Sequence, residues 1–250
     1  MKNVKLIIEY DGTNFSGWQI QPNARTVQEV IEKSLEKIMK KPVKINGSGR
    51  TDAGVHALGQ VANFCEKFSI PVEKIPLALN ALLPKEISIK NAIEVPKDFH
   101  ARYNAVGKEY IYKIYNGAIR SPILRNYTYF VPKPLNIEKM KMACDYFVGE
   151  HDFKGFMASK SGVVDTIRNI YALQVYKKDE ILIIKAIGNG FLYNMVRIIA
   201  GTLVDVGIGK IKVEDIPYII KSGKREKAGH TAPPQGLYLS KVFYQLPIIP

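Results

Sequence analysis

The stretch GSGRTDAGVHALGQ, residues 47–60, sets Arg50, Asp52 and His56 among glycines. Four chemistries fit such a run: a turn, a phosphate cradle, a metal site or a catalytic carboxylate. A nucleotide-type cradle needs G-x-x-x-x-G-K-[ST] between a strand and a helix, whereas this run lacks the lysine and joins two strand-like segments. Asp52 and His56 would give a metal two ligands with no evident third. Glycine can set the backbone of a turn while opposite charges project from it. A loop carboxylate held by a cation is a nucleophile or a base. The turn and the catalytic carboxylate both stand on these residues alone.

A carboxylate working beside a polyanion needs a cation. Arg50 is two residues away, and Arg197 is the only charge in the apolar stretch GFLYNMVRIIAGTL. An arginine half-buried there needs a partner, because an unpaired buried charge is very costly. Asp205 and Glu109 are local alternatives, as is a snorkelling side chain. Tyr110 and Tyr112 fall on one face of a strand pattern, with Ile114 beyond. Aromatic rings hold an extruded base at roughly 1–3 kcal/mol, and they also pack on sheets. Trp18 suits either the core or a ligand. His100, His151 and His230 form no triad with a serine or cysteine; the HDF at 151–153 reads as a cap. No dinucleotide fingerprint follows a strand.

Lys+Arg number 36 against 23 Asp+Glu, a net charge of +13. That surplus favours a polyanionic partner, nucleic acid before a membrane surface; a lysine-rich proteome or a hot habitat would also raise the count. The basic residues are dispersed, which points to a folded basic surface rather than an arm. No apolar run reaches the ~18 residues of a membrane span, and MKNVKLIIEYDG carries no secretory pattern. Cys65 and Cys144 match no metal-ligand spacing and read as reduced thiols of a cytoplasmic protein.

The elements that must carry these residues follow from periodicity. Val4, Leu6, Ile8 and Tyr10 alternate as one face of a strand. TVQE at 26–29 reads as a capping box opening a helix with Val27, Val30, Ile31, Leu35 and Ile38. VKING (43–47) and QVANF (60–64) are strands flanking the glycine loop. A helix over about 72–83, stopped by Pro84, and a strand over 86–95 complete β-α-β-β-α-β. The second half repeats the order: a strand at 108–115, a helix opened by Asn136, strands at 167–176 and 180–187, a helix over about 191–206, a short one near 213–221, and a closing strand at 236–244. The spacing therefore predicts an α+β protein of two ferredoxin-like units, 1–104 and 105–250, with sheets edge to edge around a central cleft.

Several stretches together resemble the tRNA pseudouridine synthase A family: YDGTNFSGWQIQ (10–21), TVQE, GSGRTDAGVHALGQVANF (47–64), FHAR (99–102), KEYIY (108–112), HDFKGF (151–156), GNGFLYNMVR (188–197) and AGHTAPPQGLYL (228–239). The resemblance spans nearly the whole chain, and GRTDAGVHA is its most specific part. It implies isomerisation of uridine to pseudouridine at positions 38, 39 and 40 of the tRNA anticodon arm, without cofactor or metal, by a cytoplasmic homodimer. It places the catalytic aspartate on Asp52, the base-contacting tyrosine on Tyr110, the arginine paired with the aspartate on Arg197, and the arginine that helps turn out the base on Arg50. A non-catalytic RNA-binding protein is the rival reading, since ferredoxin-like sheets bind RNA, although KGFMAS at 154–159 matches the aromatic signature poorly. An RNA hydrolase using Asp52 as base would need a second acid or a metal cluster.

Overall fold

The computed structural model describes residues 1–158 and 163–245. The chain divides by contact into two units, Met1–Val106 with the returning segment from Tyr238, and Gly107–Leu237. Both mix sheet and helix, so the fold is α+β.

In the first unit the order is β1 (Lys2–Tyr10), α1 (Val27–Met39), β2 (Asn46–Gly47), β3 (His56–Glu66), α2 (Ile75–Asn80) and β4 (Ile87–Val95). β1 lies between β3 and β4, antiparallel to both. Its alternating Val4, Leu6, Ile8 and Tyr10 are buried, and α1 covers the sheet with Val27, Ile31 and Leu35. The capping box does not form. Thr26 is extended, but its buried Oγ1 has no hydrogen-bond partner among the described residues, and Glu29 pairs with Lys33 instead. The first N–H groups of α1 are satisfied by main chain: Val27 N donates to Gly17 O (3.2 Å) and Gln28 N to Trp18 O (3.0 Å). Tertiary backbone contact has replaced the local cap.

The strand expected over 43–47 shrinks to Asn46–Gly47. Ile45 N donates to the buried Glu32 carboxylate of α1 at 3.1 Å, so that donor is lost to the ladder. The helix expected over 72–83 is a 3-10 turn (Val72–Lys74) followed by the two-turn α2. Asn80 ends it by bonding both main-chain groups of Ile89 on β4.

The second unit holds β5 (Gly107–Asn116), β6 (Tyr129–Val131), α3 (Ile137–Asp145), β7 (Gly149–Asp152), β8 (Ile167–Lys178), β9 (Ile181–Gly188), α4 (Met195–Gly207) and α5 (Ile216–Ser222). Its sheet runs β5-β9-β8-β7 with antiparallel neighbours, and β6 lies parallel on β5. Asn136 caps α3 as its type suggests, its side chain accepting from Lys139 N at 3.0 Å. HDF is no cap of that helix: α3 ends at Asp145, and His151 and Asp152 lie in β7 opposite Arg168 and Ile167. α4 begins four residues later than the spacing suggests, after Asn194 in the left-handed region at φ 61°.

The last strand, β10 (Leu237–Phe243), departs from the simple repeat. Tyr238 and Leu239 lie opposite His56 and Ala57, parallel to β3. Periodicity identified the strand but gave no sign of which sheet it would join.

Candidate active site

The Asp52 loop, residues 48–55, is fixed from three sides. Below it, the buried Gln60 of β3 accepts from Ser48 Oγ (2.7 Å) and donates to Gly49 O (2.9 Å). Beside it, the Tyr10 hydroxyl at the end of β1 meets Thr51 Oγ1 at 2.7 Å. Around it wraps segment 12–18. Trp18 N donates to Thr51 O (3.1 Å) and Gly54 N to Phe15 O (3.2 Å). A Cβ on Gly12 would stand 1.9 Å from Val55 O, and one on Gly17 would stand 2.4 Å from Thr51 O. Gly17 also takes φ 89°, a conformation few side chains tolerate. The two glycines of YDGTNFSGW thus let one loop press main chain against the other.

Trp18, 3% exposed, lies against Gly47 and packs with Tyr10 at 6.2 Å between ring centroids. It belongs to the packing that supports the loop. His56 is buried as well. Its ring stacks on Tyr238 at 4.7 Å, and its Nδ1 lies 3.1 Å from Gly12 N and 3.2 Å from Asp11 Oδ1. His56 therefore ties β3 to the YDG segment. Asp52 itself is half-buried, and its main-chain oxygen closes a turn with Val55 N at 3.1 Å. Arg50 is exposed and forms no ion pair among the described residues. Among those residues no cluster of three or more His, Cys, Asp or Glu is placed to hold a metal ion.

In the second unit, Tyr110, Tyr112 and Ile114 share the buried face of β5. Tyr110 stands opposite Ala186, its ring edge-on to Phe191 at 5.2 Å and 83°. Tyr112 is fully buried and donates its hydroxyl to Pro233 O at 2.7 Å. Burial holds its phenol well above the ordinary tyrosine range, with the charge of Arg197 pulling the other way.

Arg197, in the first turn of α4, is half-buried and oriented at two nitrogens. Nε donates to Ala232 O and Nη1 to Asn194 Oδ1, both at 2.8 Å. Asp205, one of its candidate local partners, is engaged by His230 Nδ1 at 3.0 Å and Lys210 at 3.5 Å.

Sequence reasoning missed the strap that holds Arg197. Segment 228–236 lies along α4 so closely that a Cβ on Gly201 would stand 1.8 Å from His230 O. Gly229 N donates to Thr202 Oγ1 (2.9 Å), and Ala232 N to Arg197 O (3.1 Å). Arg225 donates to Gly229 O (2.8 Å) and to Thr231 Oγ1 (2.9 Å). The glycine and proline run in AGHTAPPQG was the signal available, since such residues mark a close main-chain approach.

Comparison with known proteins adds the chemistry. A family model described as tRNA pseudouridine synthase matches residues 6–104 and 143–245. The chain is 53% identical to tRNA pseudouridine synthase A of Caldicellulosiruptor bescii over 244 residues, 98% of this chain and 100% of that protein. It is 54% identical to the protein of the same name from Ruminiclostridium cellulolyticum over 245 residues, with the same coverage. The corresponding Thermoanaerobacter protein is 52% identical over 244 residues, again 98% and 100% of the two chains.

Proposed function

Because this chain belongs to the tRNA pseudouridine synthase family and is an isomerase, we propose that it converts uridine to pseudouridine at positions 38, 39 and 40 of the tRNA anticodon arm, with Asp52 as the reacting carboxylate. Family membership sets the pure RNA-binding reading aside. The observation that carries the assignment to Asp52 is the fixation of its loop. Glycine contacts, Gln60 and Tyr10 hold that loop before any substrate arrives, and preorganisation is what a reacting group requires.

The target base must leave the helical stack to be reached. The bond between N1 of uracil and C1′ of the ribose breaks, the ring turns, C5 bonds to C1′, the C5 hydrogen leaves as a proton and N1 gains one. Atoms balance without a co-reactant. Two routes begin from an ionised Asp52: attack on C1′, giving a sugar ester that C5 then displaces, or removal of the 2′ proton, giving a glycal. In either route Arg197 is the cation that favours the ionised carboxylate, Tyr110 stacks on the base, and Arg50 helps keep it turned out. The enzyme works in the cytoplasm as a homodimer.

Unmodified tRNA incubated with the protein, treated with a carbodiimide and copied by reverse transcriptase tests the site. Stops that map pseudouridine to positions 38–40 are expected. Pseudouridine confined to another arm would overturn the anticodon assignment and leave the isomerase class intact.

A further inference from the structure

The FHAR motif is not absorbed by the reacting site. It lies in segment 96–104, after β4, and the first unit builds that segment with unusual care. Asn3 and Asn63, both buried in the sheet, clamp its main chain. Asn3 Nδ2 donates to Pro96 O (3.0 Å) and Phe99 O (2.8 Å), and Asn63 Oδ1 accepts from Ala101 N (2.9 Å). The two amides bond each other at 2.9 Å. Tyr244 OH donates to Ala101 O at 2.8 Å. His100 then shapes the tip: its Nδ1 accepts from Arg102 N (3.1 Å), and its own N–H donates to Asn104 Oδ1 (2.6 Å).

This scaffold projects one aromatic ring into solvent. Tyr103 is 76% exposed. The His100 ring stands 4.3 Å from it and the Arg102 guanidinium 5.9 Å. Arg102 forms no ion pair among the described residues. Lys5 lies nearby on the same loop's footing, over the rings of Phe99 and Tyr244. Asp98 is the one acid of the segment.

We propose that Tyr103 is a stacking station for one unpaired base of the bound RNA, with Arg102 on the adjoining phosphate. This rests on the tRNA reading above. An exposed aromatic beside a cation is how proteins hold single-stranded bases without reading their sequence. Clamping the main chain beforehand lowers the entropy cost of using the ring. A protein partner fits less well, because the ring's neighbours are His100 and the Arg102 guanidinium, whereas the core of a protein interface is depleted of charge.

The test is tRNA affinity by fluorescence anisotropy at several salt concentrations, for wild type, Tyr103→Ala, Tyr103→Phe and Arg102→Ala. Tyr103→Ala is expected to raise Kd at least ~5-fold without changing the salt slope, the minimum for losing one stacked base. Tyr103→Phe keeps the ring and should retain wild-type affinity. Arg102→Ala should flatten the slope of log Kd against log salt by about 0.7–0.9, one phosphate contact. If wild type isomerises tRNA and Tyr103→Ala binds equally well, the stacking station is wrong and the enzyme assignment stands. A changed sedimentation coefficient with unchanged tRNA affinity would make the ring a protein contact and also overturn it. If wild type neither binds nor isomerises tRNA, both readings fall.

Discussion

Two nitrogens decide how far Arg197 can be replaced. Nε holds Ala232 O and Nη1 holds Asn194 Oδ1, a fork that an ammonium group cannot reproduce. Arg197→Lys keeps the positive charge and loses the orientation. We expect kcat to fall at least ~10-fold, the cost of a misplaced group near the chemistry, with the melting temperature nearly unchanged. Steady-state kinetics beside a thermal melt check this, and full activity in Arg197→Lys would reduce the residue to a bulk charge. Asp52, Tyr110 and Arg197 stood out in the sequence by type alone, as a carboxylate, a ring and an isolated charge. The companions that orient Arg197 did not. Asn194 and Ala232 carry no signal of type, because their contribution is a main-chain carbonyl, a short amide and a left-handed turn.

At the scale of elements, two loops and a strap do the positioning. Segment 12–18 presses on the Asp52 loop, and segment 228–236 presses on α4. Alternation and helical spacing were enough to find β1, α1, β3, β4, β5, β8, β9 and α4: β1, β5 and β9 show a largely alternating burial pattern, and β3 and α4 are long, strongly apolar segments buried on more than one face. They failed where a donor had a better partner elsewhere. β2 is short because Ile45 bonds Glu32, and Thr26 caps nothing because Gly17 and Trp18 supply the carbonyls. β6 and β7 are too short to show a period. The close approach at Gly12 is directly testable. In Gly12→Ala the new methyl would meet Val55 O at 1.9 Å, so the loops must separate. Overpacking of this kind costs ~1–3 kcal/mol. We expect a lower urea midpoint and a change in the emission of Trp18, the single tryptophan, which packs beside the same loop. Unaltered emission and stability would show that the loop tolerates slack there.

For the molecule as a whole, a net charge of +13 suits a polyanionic substrate, and no described helix is long and apolar enough to cross a membrane. Burial also fixes a pH limit. It raises the phenols of Tyr10, Tyr112 and Tyr244 above their ordinary range. An unfolded tyrosine ionises near pH ~10. Above that pH the folded chain keeps protons that the unfolded chain releases, so stability is intact below pH ~10 and falls as the pH rises further. Urea midpoints from pH 8 to 11 should hold and then drop, and a flat profile would mean that these hydroxyls reach water. Activity belongs to this scale too. The most direct test uses tRNA labelled with tritium at uridine C5, given to wild type and to Asp52→Asn. Joining C5 to the ribose must expel the label. The account predicts tritium in water from wild type alone, with the variant still binding tRNA within ~10-fold of wild type, since one altered side chain leaves the charge-driven contacts in place. Release by Asp52→Asn at the wild-type rate would contradict it.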